Sequence, residues 1–384
     1  MAIHLLRAPS RRRTPALTAT LVSGLALGVA LVATPASADD TPGVSGSTSQ
    51  DPAVSGSTSP DPAVSGSTSQ TPGVSGSTSV GALAPAGSSY VALGDSYSSG
   101  TGTRSYIDDG TECLRSTQAF PSLIAAANDY SLDYRACSGA VVADVQANQL
   151  AALSAATDLV TITIGGNDAD FTGVITECAL PGWASDCNAA IDTSQAFVSG
   201  TLPSRLSGLY GQISAAAPNA TVVVAGYPRL FMGEDCNALT WISPEEQARL
   251  NATADQLNAT TRAAATSAGF SFVDPTSAFT GHAVCDDPEW LNGLSNPIVE
   301  SYHPNVAGHA QGYTPLVGPR LTGASVAVTP EVIAEADSRA GEYAAQQAPY
   351  AAYDRTIEPR VVDQAPLLEA QRSIEMGNAP YSGN

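Results

Sequence analysis

The sequence predicts an α/β domain in which a mostly parallel sheet is covered by helices on both faces. Two observations carry this. Short apolar runs at 90–93, 159–164, 221–225 and 270–273 each give way to Gly or Asp, as buried strands do at their ends. Helical segments lie between them, at 118–127, 144–155, 204–217 and 244–267. Strands that alternate with helices join in parallel through crossovers, and the helices then cover both faces. The last helix has the clearest start: Ser243 as N-cap, Pro244 at the first helical position and Glu246 completing a capping box. The pattern spans 88–322, an ordinary size for one domain of this class.

The flanks read differently. Residues 1–38 form an export leader, with Arg11-Arg12-Arg13, an apolar stretch over 16–32 and an Ala36-Ser37-Ala38 cleavage signal. Residues 39–87 form a Ser/Gly/Pro/Thr-rich linker. Within it, 41–80 repeat one ten-residue unit four times: TPGVSGSTSQ, DPAVSGSTSP, DPAVSGSTSQ, TPGVSGSTSV. Each unit has one sizeable apolar residue, too few to offset chain entropy by burial. After 322 the strand pattern fades into an acidic, Ala-rich extension, 323–384, with a helix expected at 331–345 and no role legible.

Charge narrows the partners. The chain has 36 acids and 16 basic residues, every one of them arginine. Removing the leader leaves 12 arginines and a formal charge of −24, a field that repels nucleic acid and anionic membrane surfaces. Six cysteines in an exported chain imply three disulfides. They contain no CxxC pair, and no cluster suggests a metal or cofactor site.

The chemistry gathers at two strand ends. The run 90–93 breaks at Gly94 into Asp95-Ser96-Tyr97-Ser98-Ser99-Gly100, a small polar turn that presents the Ser96 hydroxyl. A serine hydroxyl becomes a nucleophile when a base takes its proton and donors hold the resulting oxyanion. The second run ends in Gly165-Gly166-Asn167-Asp168, whose Asn167 amide is such a donor. Gly139, in Cys137-Ser138-Gly139-Ala140, lets a backbone N–H approach a substrate oxygen. Beyond the leader, the bases on offer are His282, His303 and His309. Asp95 and Asp168 read as supports of their turns.

These blocks, in this order, with Glu300-Ser301-Tyr302-His303-Pro304-Asn305 last, resemble the GDSL-type esterases and lipases, the SGNH hydrolases, over about 88–318. The closest resemblance is to secreted actinobacterial members with three disulfides. The resemblance implies a flavodoxin-like three-layer α/β/α fold and an ester or lipid substrate. It implies Ser96 as nucleophile, His303 as base, and the Ser96 N–H, the Gly139 N–H and Asn167 as oxyanion hole. Pairings Cys113–Cys137, Cys178–Cys187 and Cys236–Cys285 follow from it too. Where the family often has an aspartate three residues before the histidine, this chain has Glu300, the expected triad acid; some members use a backbone carbonyl instead. The family also includes carbohydrate deacetylases, so an O-acetylated glycan is the second substrate class. A wall-binding protein without catalysis is the third reading. The expectation is a monomeric extracellular enzyme, free or wall-associated, without stable membrane insertion, whose extension is dispensable for hydrolysis of soluble esters.

Overall fold

The computed structural model describes residues 84–379; the expected leader, the four repeats and the last five residues lie outside the described residues. Five parallel strands form the sheet: β1 Ser89–Gly94, β2 Ser131–Tyr134, β3 Leu159–Thr163, β4 Thr221–Ala225 and β5 Ser271–Val273. Their spatial order is β2-β1-β3-β4-β5. β1 and β3 are buried along their whole apolar length, as strands covered on both faces must be.

The helices are α1 Ser96–Ser99, α2 Phe120–Asn128, α3 Val142–Ala147, α4 Phe171–Cys178, α5 Cys187–Gly200, α6 Leu202–Ala216, α7 Pro244–Ser267 and α8 Thr314–Thr322. Helices α3, α5, α6 and α7 pack together as one layer, while α2 and α8 pack as the other, giving three layers in all. The expected helix at 144–155 is broken instead: α3 stops at Ala147, and a 3₁₀ turn follows at Gln149–Ala152. The Ser243 capping box starts α7 as its sequence predicts. Disulfides join Cys113 to Cys137, Cys178 to Cys187 and Cys236 to Cys285.

The strand order fixes where a site can form. The order changes direction between β1 and β3, and in open parallel sheets the crevice at the carboxyl ends of such strands is where ligands bind. Gly94 and Thr163 are register partners at that end, so the turns after β1 and β3 emerge side by side. Gly94 has φ +118°, and a Cβ there would collide with the Thr163 carbonyl.

The expected boundary at 322 is not where the packing ends. The chain continues as α9 Pro330–Ser338, α10 Ala340–Gln347, α11 Ala351–Asp354 and α12 Gln364–Glu375. α9 packs on α2, and α10 covers the edge strand β2, with Tyr343 edge-on to Tyr134. The deepest tie is ionic. Fully buried Arg115 pairs with Asp109 and Asp354, each at 2.6 Å, and Asn148 Nδ2 donates to Asp354 at 2.6 Å. Arg135 stacks on Tyr350 at 3.6 Å and donates to Gln347. Removing one partner of such a group strands buried charge, at a cost of about 3–5 kcal/mol. Asp354→Ala is therefore expected to lose about that much stability in denaturant unfolding. A loss below ~1 kcal/mol would contradict an integral role for the extension in the fold.

Candidate active site

Ser96 opens α1, the single turn after β1. Asp95 is its N-cap and accepts from the Tyr97 N–H at 3.1 Å. The same carboxylate accepts from Thr163 Oγ1 at 2.7 Å and from the Tyr227 hydroxyl. Burial pushes the Asp95 carboxyl up to about 6, against those three donors, which favour the anion. Asp95 thus holds the Ser96 turn to β3 and to the segment after β4. Thr163 and Tyr227 carry no sequence signal of their own, since only the fold brings them to Asp95.

The imidazole beside Ser96 arrives from the long segment after β5. His303 Nε2 lies 2.8 Å from Ser96 Oγ, and its Nδ1 lies 2.9 Å from the Ser301 carbonyl. A carbonyl only accepts, so Nδ1 carries the hydrogen and the Nε2 lone pair faces the serine. Burial brings the imidazole pKa down to about 4, partly opposed by the Ser301 carbonyl. The ring is therefore neutral, and able to accept a proton, across the neutral range. Tyr97 supports it: its hydroxyl donates to the Tyr302 carbonyl at 2.8 Å and its ring lies 5.4 Å from the imidazole.

Glu300 is not brought to that ring. A 3₁₀ turn at Ile298–Glu300 sends its carboxylate to Arg104 Nε at 3.0 Å and the Tyr106 hydroxyl at 2.7 Å. The geometry therefore corrects the expectation of a Glu300–His303 pair: the imidazole's partner is the Ser301 carbonyl. A triad acid changed to its amide costs about 10⁴-fold in kcat, through the wrong imidazole tautomer. Glu300→Gln should instead cost less than about tenfold and leave the acidic limb of the kcat/KM profile near pH 4. A fall of several orders of magnitude would restore Glu300 to the triad.

The remaining donors converge on the same strand ends. Asn167 follows β3 and spends one amide hydrogen on the Ala140 carbonyl at 3.0 Å, and the second meets no acceptor among the described residues. Gly139 follows β2 in a left-handed conformation, φ +84°. Neither its N–H nor that of Ser96 meets an acceptor among the described residues. Asp168 caps Val142 N–H at 2.9 Å and pairs with Arg205, a support for its loop. His282 stacks on Trp290 at 3.8 Å, and His309 is buried against the Phe120 N–H; neither is hydrogen-bonded to Ser96.

Ser96, Asn167 and His303 open onto a narrow cavity of about 50 Å³. Its walls include Phe171, Ile175, Val198, Leu230 and Leu257, an apolar slot beside the Ser96 hydroxyl.

The family description "GDSL-like Lipase/Acylhydrolase" matches residues 92–311. This chain belongs to that family. The GDSL-like chain is 46% identical over 235 residues to Lipase 1 of Streptomyces coelicolor, a match that covers 60% of this chain and 86% of that one. Crystal structures of an extracellular lipase from Streptomyces rimosus and of phospholipase A1 from Streptomyces albidoflavus NA297 both align with TM-score 0.58. They share 42% and 43% identity with it, and each alignment covers 61% of this chain and 99% or 100% of the other. Among the described residues of this GDSL-like hydrolase, no helix is long and apolar enough to cross a membrane.

Proposed function

We propose that this carboxylic ester hydrolase cleaves lipid or other acyl esters through an acyl-enzyme on Ser96. His303 takes the Ser96 proton as Oγ attacks the acyl carbon. The oxyanion is held by the Ser96 and Gly139 N–H groups and by the free hydrogen of Asn167. The proton then passes to the departing alcohol. Water, activated by the same imidazole, releases the acid and restores Ser96. The observation that carries this reading is the hydrogen-bonded run Ser96 Oγ–His303 Nε2, Nδ1–Ser301 O at the base of an apolar slot.

The apolar walls favour an acyl chain over an acetyl group on a glycan, in keeping with the lipase and phospholipase names of the relatives. Three disulfides and the expected leader support a protein exported from the cell. One chain supplies every group of the site, so a monomer suffices. The test is a panel of p-nitrophenyl esters from acetate to palmitate, alongside phospholipid and acetylated xylan. Turnover of acyl esters is expected to exceed that of acetylated xylan; the reverse order would make this a carbohydrate esterase.

A further inference from the structure

The segment 355–363, between α11 and α12, lies along the site. We infer that Val362, which it carries, is a specificity-determining residue for the acyl chain. This rests on the acyl-ester reading above. The family match ends at residue 311, and the two Streptomyces structures are covered almost whole by 61% of this chain. The segment therefore adds a wall from outside the family-matched region.

The segment is anchored at both ends. On one side stand Asp354, in its buried ion pair with Arg115, and Ile357, packed with the Cys113–Cys137 disulfide and Ala140. On the other, the Asp363 N–H donates to Thr176 Oγ1 at 3.0 Å, and Leu367 of α12 is fully buried. Between the anchors the Glu358 carbonyl lies against Gly139, where an added Cβ would collide with it. Val361 faces solvent at 41% exposure, whereas Val362, at 2%, turns into the cavity that holds Ser96, Asn167 and His303. In so narrow a slot, one side chain decides how much acyl chain fits. A single methylene gained or lost in an apolar pocket shifts discrimination by about 10- to 200-fold.

The test compares wild type with Val362→Phe, Val362→Ala and Val361→Ala on p-nitrophenyl acetate, octanoate and palmitate, with a thermal melt of each variant. The readout is the ratio of kcat/KM on long and short esters. It is internal to each enzyme, so a reduced folded fraction does not move it. Val362→Phe is expected to lower the ratio at least about tenfold, and Val362→Ala to raise it. Val361→Ala is expected to keep the wild-type ratio. If the Phe variant does not fold, Val362→Ala carries the test. A ratio within about twofold of wild type in the folded Val362 variants would overturn the inference alone. A wild type inactive on every ester would overturn the acyl-ester reading and this inference with it.

Discussion

Ser96→Ala is expected to lower kcat by about four to six orders of magnitude, the cost of losing the nucleophile from a group of residues that acts as a unit. Among the described residues the hydroxyl has one hydrogen-bond partner, His303 Nε2 at 2.8 Å. The turn that carries it is held by Asp95, Thr163 and Tyr227, whose hydrogen bonds do not involve the lost oxygen. The variant should therefore melt close to wild type while turnover disappears. A stopped assay on p-nitrophenyl butyrate measures this. Residual kcat above ~1% of wild type in a folded variant would rule out Ser96 as nucleophile.

Asn167→Ala is expected to lower kcat by about 10²- to 10³-fold with little change in KM, the loss found when one oxyanion donor is removed. The amide has two hydrogens, and the Ala140 carbonyl engages only one. On the proposed mechanism the donor stands fixed before substrate arrives and strengthens its bond only as negative charge develops on the acyl oxygen. The bond to Ala140 also ties the turn after β3 to the Gly139 turn, so a melt must accompany the kinetics. An effect confined to KM would make Asn167 a substrate-binding residue.

The strand ends that carry the candidate site were legible because each combines an unbroken apolar run with glycines where the chain must turn. Thr161-Ile162-Thr163-Ile164-Gly165-Gly166 carries its strand and its turn in a few consecutive residues. β2 was not legible. Ser131–Tyr134 alternates two apolar with two polar residues at a sheet edge, and its cover, α10, comes about two hundred positions later. At the break in the 144–155 helix, Asn148 donates to Asp354 and Gln149 pairs with Gly94, partners that lie far off in sequence. The extension escaped for that reason too. Arg115 and Asp354 are ordinary charges in sequence, and only their meeting across 239 positions makes them structural. Glu300 shows a different limit. Its spacing from His303 suits a triad acid, but spacing does not reveal that Arg104 and Tyr106 receive its carboxylate, nor that the Ser301 carbonyl fills the place beside Nδ1.

The most direct measurement is covalent labelling with a p-nitrophenyl alkylphosphonate, which leaves a stable phosphonyl group on an activated serine. Intact mass should rise by one adduct in step with loss of activity, and peptide mapping should place that adduct on Ser96. Asn167→Ala should label more slowly, and Ser96→Ala should not label. An adduct at another residue, or hydrolysis that persists once Ser96 is fully modified, would contradict the mechanism.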